Sequence, residues 1–155
     1  MARSFDGPIA ELLPHRGAML LVDRLLADDA ESVRVEATIK PGELFLTDEG
    51  MPGWVGIELM AQTVASWAGL RSLEAKRPVQ LGFLLGTRKY QCSRPFFPVG
   101  ARLEIEARQE LVAENGLAVF ACRLFLEGEV IATAQLNAFQ PPNVDEYLRG
   151  LLNHG

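Results

Sequence analysis

The sequence is poor in the groups that most often announce chemistry. Its 155 residues include two cysteines, Cys92 and Cys122, and two histidines, His15 and His154. Cysteines so few and so far apart supply neither a metal-ligand cluster nor a disulfide framework, and they read as small buried hydrophobes. No serine sits in a nucleophile elbow. The glycines of "GFLLG" and "GTRKY" lack both the strand-to-helix setting and the Gly-Lys-Ser/Thr ending of a phosphate loop. No cofactor or metal is therefore expected. Acidic residues outnumber basic ones, 20 against 15, and the resulting charge of −5 argues against a nucleic-acid partner. Repeats and biased tracts are lacking too. The opening "MARSFDGPIAELLPHRG" has no basic region followed by an apolar core, so no secretory leader is expected and a cytoplasmic location is.

What is there has an ordinary globular composition, expected as one domain over residues 1–155, large enough to need no metal or disulfide staple. The longest apolar run, Met51 to Leu70, tempts a membrane reading. Pro52, three glycines, Glu58, Gln62, Thr63 and Ser66 interrupt it, and basic residues do not flank both ends closely. A core helix from about Gly53 to Ala75 is the better reading, apolar nearly all round and so wrapped by other structure. Glu58 is the single charge in "PGWVGIELMAQTVASWAG". A carboxylate buried without a partner is costly or is driven to its neutral form, which makes Glu58 the first candidate for function.

The rest of the pattern is strand-rich. "FDGPIAELLPHRG" reads as a short helix over Ile9–Leu13, ended by Pro14 and Gly17, within an N-terminal stretch 1–17. "AMLLVDRLLADD" reads as a mostly buried strand, and "ESVRVEATIK" alternates apolar and polar residues as a half-buried strand does. "PGELFLTDEGMPG" is a loop. After the helix come "VQLGFLLGTRKYQC", "ARLEIEARQELVA", "LAVFACRLFLE" and "EVIATAQLNAFQ", the last three joined by "ENG" and "EG", which are hairpin signals. "RPFFPVG" is a bend between strands. Asn143 with Glu146 marks a capping box for a short helix over 143–152. Six antiparallel strands enclose one helix only if the sheet curls round it, an α+β arrangement.

Three ordered motifs now carry a resemblance. "LLPHRGAMLLVDRLL" resembles the opening of the bacterial β-hydroxyacyl-(acyl carrier protein) dehydratases. "MPGWVGIELMAQ" resembles their helix start, with the same five-residue step from Gly53 to Glu58, and "LLGTRKYQCSRPFFPVGARLEIE" resembles a later segment with Arg94, Pro98 and Gly100 in register. The match covers roughly residues 11 to 110. "GTRKY" and "IELMAQ" look closest to a divergent branch found in aryl polyene biosynthesis. The resemblance implies a hotdog fold, a curved antiparallel sheet around one central helix, working as a dimer. It also implies water elimination from a 3-hydroxyacyl thioester on the phosphopantetheine arm of an acyl carrier protein. One departure matters: the family's loop before the helix carries a catalytic His, whereas "ELFLTDEGMPG" is shorter and has none.

Removing water from such a thioester needs a base for the α-proton, an acid for the departing hydroxyl and donors for the enolate-like oxygen. Glu58 matches the family's catalytic Glu and suits the acid, unless it is anchored structurally. His15 is the candidate base, with Asp48 or Glu49 of the shortened loop as alternatives, and it also fits a turn-stabilising role. The N–H groups of Gly53 and Trp54 open the helix and suit the oxyanion, though an ordinary helix start reads the same way. Gln62 either orients Glu58, bonds across a dimer or is satisfied by backbone. Trp54, Leu59, Phe83 and Leu84 are candidates for an acyl tunnel. Arg88, Lys89 and Arg94 suit the phosphate arm or acidic surface of the carrier protein, though a solvated strand end reads the same way, and Asp23 with Arg24 reads as a structural pair. Two other readings stay open: a hotdog thioesterase, or a non-catalytic subunit paired with a related dehydratase in a heterodimer rather than a homodimer.

Overall fold

The computed structural model describes residues 2–76 and 83–139, with the backbone alone for 83–85. The helix expected over 143–152 and His154 lie outside the described residues. In chain order the strands are β1 (Arg24–Asp28), β2 (Ser32–Thr38), β3 (Met51–Pro52), β4 (Phe83–Cys92), β5 (Phe96–Phe97), β6 (Arg102–Val112), β7 (Leu117–Leu126) and β8 (Glu129–Phe139). Helix α1 spans Gly56–Glu74 and follows a single 3-10 turn at Gly53–Val55.

The sheet wraps helix α1 over much of its apolar surface, leaving Ile57, Ala61, Ala65 and Ala68 half-buried along one stripe. Six strands form one antiparallel sheet in the order β1-β2-β6-β7-β8-β4, and α1 packs on β2, β4, β6, β7 and β8. Leu59, Met60, Val64 and Leu70 of the helix meet Val33, Val35, Leu103, Ile105, Phe120, Leu124 and Leu136 in one core. Two buried hydroxyls of α1 return to its own backbone, Thr63 Oγ1 donating to Leu59 O at 2.7 Å and Ser66 Oγ to Gln62 O at 2.9 Å. Lys76, at φ 56°, ends the helix, its N–H donating to Leu73 O at 3.0 Å. No helix among the described residues is long and apolar enough to cross a membrane.

The β7–β8 hairpin turns on Glu127 and Gly128, both at positive φ as a two-residue hairpin turn of this kind demands. The outer side of the sheet is charged. Arg34 of β2 and Arg123 of β7 both donate to the Glu106 carboxylate of β6, and both guanidinium groups lie over the Phe125 ring, at 4.8 and 5.1 Å.

Two expectations need correction. The strand read over "AMLLVDRLLADD" starts only at Arg24, after a 3-10 turn at Gly17–Met19. The intervening Leu21 and Val22 donate their N–H groups to the Gln62 side chain instead of to a neighbouring strand. Asp23 and Arg24 do not pair with each other: Asp23 meets Lys40 and the Thr38 N–H, and Arg24 meets Glu36. The "RPFFPVG" bend also contains β5, which pairs with β3 and thereby docks the chain after β4 against the start of the central helix.

Candidate active site

The site is assembled by strapping the N-terminal segment onto α1. Gly69 makes room for the strap, because a Cβ there would lie 1.9 Å from the Leu12 carbonyl oxygen. Leu12 and Leu13 are buried beside it. Farther along, the fully buried Gln62 holds the same segment through both ends of its amide. Its oxygen accepts from Leu21 N at 2.9 Å and Val22 N at 3.3 Å, and its nitrogen donates to Met19 O at 2.7 Å. Between these two anchors the chain turns at "PHRG". Arg16 fixes the turn, its Nη1 donating to the carbonyls of Leu13 and His15, both at 2.6 Å.

The turn presents His15 to Glu58. Nε2 of the imidazole lies 3.5 Å from Glu58 Oε1, and the same oxygen accepts from Gln62 Nε2 at 2.9 Å. The two side chains retain 25% and 32% exposure, so the pair faces an opening and is not sealed in the core. Glu58 has no guanidinium partner among the described residues. His15 Nδ1 is buried and makes no hydrogen bond, an imbalance that folded chains more often tolerate at functional sites. Gln62 therefore both orients the carboxyl and is satisfied by backbone, combining two of the roles its sequence position suggested.

The helix start lies one turn from Glu58, and its two expected oxyanion donors differ. The Gly53 N–H is already committed, donating to Pro95 O at 2.8 Å, so it is not a free donor. A Cβ at Gly53 would stand 2.4 Å from the Arg94 carbonyl oxygen, which is why the residue is glycine. The Trp54 N–H has no partner among the described residues and sits at the positive end of α1. Tyr90 reaches this turn from β4, its hydroxyl donating to Gly53 O at 2.5 Å. Burial, with the neighbouring Cys92 adding to it, pushes the Tyr90 phenol well up, so it remains a donor.

The other candidates fall elsewhere. Asp48 and Glu49 occupy the exposed tip of a tight turn closed by Thr47 and Gly50, and neither is paired with His15 or Glu58. Leu59 is part of the closed core, not an open channel. Trp54 is 56% exposed and packs edge-on to Phe45, with ring centroids 5.3 Å apart. Phe83 and Leu84 lie in β4, and their side chains are outside the described residues. Arg88 and Lys89 are exposed at an irregularity of β4, with Lys89 at φ 56°, and the Arg94 guanidinium is 4.0 Å from Glu129. Arg16, Gly69 and Tyr90 were not singled out from sequence. Glycines inside a helix cost about 1 kcal/mol against alanine, and that penalty at Gly56 and Gly69 was the available signal for close approach.

Comparison with known proteins identifies the family. The family model described as ApeP dehydratase, ApeP-like, matches residues 7–149. The chain is 31% identical to the 3-hydroxyacyl-[acyl-carrier-protein] dehydratase FabZ of Chlamydia trachomatis serovar L2 over 136 residues, covering 83% of this chain and 87% of the relative. Among solved structures it resembles a chain of the dehydratase heterocomplex ApeI:P from Xenorhabdus doucetiae. That match has a TM-score of 0.85 and 29% identity, over 95% of this chain and 99% of that one. The PaaI protein of E. coli, 13% identical with a TM-score of 0.59 over 75% of this chain and 81% of its own, shares the fold alone. The chain thus belongs to the ApeP-like dehydratase family, hydro-lyases built on the α+β hotdog fold.

Proposed function

We propose that this dehydratase removes water from 3-hydroxyacyl groups held as thioesters on the phosphopantetheine arm of an acyl carrier protein, with His15 and Glu58 of one chain as its acid–base pair. The observation that carries the reading is their 3.5 Å contact at a shared opening, one turn from the helix start. The family's loop histidine has no counterpart in "ELFLTDEGMPG", and His15 is the imidazole that stands beside the carboxyl. His15 Nε2 takes the proton from C2 of the substrate while Glu58 gives one to the C3 hydroxyl. The C2–H and C3–O bonds break, the C2–C3 double bond forms and water departs. His15 then returns its proton to Glu58 across their contact, restoring both groups. The Trp54 N–H holds the thioester oxygen as negative charge develops there.

The similar ApeI:P structure is of a dehydratase heterocomplex, and the surface here suits a covering subunit. Met19, Leu44, Phe45 and Trp54 are exposed apolar side chains on the segments that flank the site. In this reading the chain pairs with a related dehydratase subunit, and Arg88, Lys89 and Arg94 meet the acidic surface of the carrier protein. The test is interconversion of a 3-hydroxyacyl thioester and its 2-enoyl counterpart at constant thioester content. Glu58→Gln and His15→Asn should each lower kcat by about 10²–10⁴-fold, the usual worth of a general acid or base, with unfolding midpoints unchanged. Release of free thiol would instead mark a thioesterase. Turnover by the assembled enzyme that survives both substitutions would mark this chain as a silent partner.

A further inference from the structure

From the contacts at the helix start we infer that Tyr90 is a positioning residue: its hydroxyl sets the direction of the Trp54 N–H, the donor to the thioester oxygen. This rests on the thioester site proposed above. Gly53 C=O and Trp54 N–H belong to one peptide unit, which is planar and trans, so fixing the oxygen fixes the direction of the hydrogen on its opposite side. Tyr90 Oη holds that oxygen at 2.5 Å, sharing it with the Gly56 N–H that closes the 3-10 turn, so the phenol supplies the side-chain half of the hold. A donor on the carbonyl also polarises the peptide and makes its N–H a better donor. The preceding peptide is held as well, since Gly53 N–H donates to Pro95 O at 2.8 Å. The turn is therefore clamped on both sides, with the Trp54 N–H left free between the clamps.

The surrounding sequence is shaped to admit this tyrosine. A Cβ at Gly56 would stand 2.1 Å from the Tyr90 hydroxyl and 3.1 Å from its Cζ, so the helix carries glycine where the phenol passes. In β4 the pairing with β8 slips between Arg88 and Gln91, and Lys89 takes a positive φ. Such a bulge re-aims the side chains beside it, and Tyr90 is the neighbour that points inward to α1.

Tyr90→Phe removes the hydroxyl alone. In the full-length protein as it purifies, kcat should fall about tenfold with KM within about twofold, below the roughly 10²–10³-fold cost of deleting an oxyanion donor outright. Gly56→Ala, which crowds the hydroxyl, should lower kcat in the parent protein. In the Tyr90→Phe background it should lower kcat much less, because the two act through one contact. A second readout needs no turnover. The carbonyl stretch of a bound saturated acyl thioester, isotope-labelled at that carbon, should lie below its free-solution frequency in the parent and move back towards it in Tyr90→Phe. An unchanged kcat together with an unchanged stretch overturns the inference, as does full additivity of the two substitutions. If Glu58→Gln leaves activity intact while the stretch still responds to Tyr90→Phe, the acid–base assignment fails and the role of Tyr90 stands.

Discussion

Gln62→Leu should cost this protein several times more stability than its single amide suggests. The substitution nearly preserves volume but removes four hydrogen bonds at once. Leu21 and Val22 are 3% and 2% exposed, so water cannot replace the lost acceptor at their N–H groups. Two stranded donors at ~1–3 kcal/mol each give a gross loss of roughly 2–6 kcal/mol. The new apolar side chain recovers about 1 kcal/mol by burial, which leaves a central expectation of about 3 kcal/mol. For a chain of this length that is a fall in Tm of roughly 6–12 °C. Urea unfolding at matched protein concentration measures it, with Glu58→Gln as the comparison. The Glu58 carboxyl is a third exposed and anchors no backbone, so its loss should cost under about 1 kcal/mol. A Gln62→Leu protein within about 1 kcal/mol of the parent would show that the N-terminal segment does not depend on this amide, and the account of how the site is assembled would fall.

Gly69→Ala should drive the strap off the helix, since its new methyl would meet the Leu12 carbonyl oxygen at 1.9 Å. Overpacking of this kind costs about 1–3 kcal/mol, and His15, three residues on, should lose its register with Glu58, so kcat should fall together with the urea midpoint. Glu106 titrates with a defined sign. Burial works against its charge, but hydrogen bonds from Arg123 and Arg34 prevail and hold its carboxyl below the usual range. Its contribution is present above the ordinary carboxylate range and is lost as pH falls through the depressed folded value. The stability gap between the parent and Glu106→Gln should therefore be widest near neutrality and close on acidification, as paired urea titrations would show. A gap that widens in acid would reverse the sign.

The fold was legible wherever one periodicity ruled. The alternation in "ESVRVEATIK", the "EG" turn at Glu127–Gly128 and the apolar run of α1 each describe a local choice, and each emerges as β2, a hairpin and the central helix. Glu58 stood out for the same reason, as one charge in an apolar stretch. What the sequence hid depends on partners far along the chain. Residues 20–23 look like strand, yet two of their N–H groups belong to Gln62, about forty residues away. The Gly53 N–H looks free at a helix start until β5 brings Pro95 alongside it. Tyr90 has no local signal beyond the glycine opposite, because a tyrosine in a strand reads as ordinary packing.

The knitted outer side of the sheet has a consequence for how copies of this molecule can meet. Two guanidinium groups share one carboxylate and roof one aromatic ring there. Stacking another sheet flat upon that surface would dehydrate those ions without offering them better company, and stripping water from ions costs several kcal/mol apiece before any new contact forms. Face-to-face layering is thus discouraged by the molecule's own charges. Association is steered off that face, towards surfaces such as the one beside the mouth between strap and helix, where Met19, Phe45 and Trp54 stand exposed.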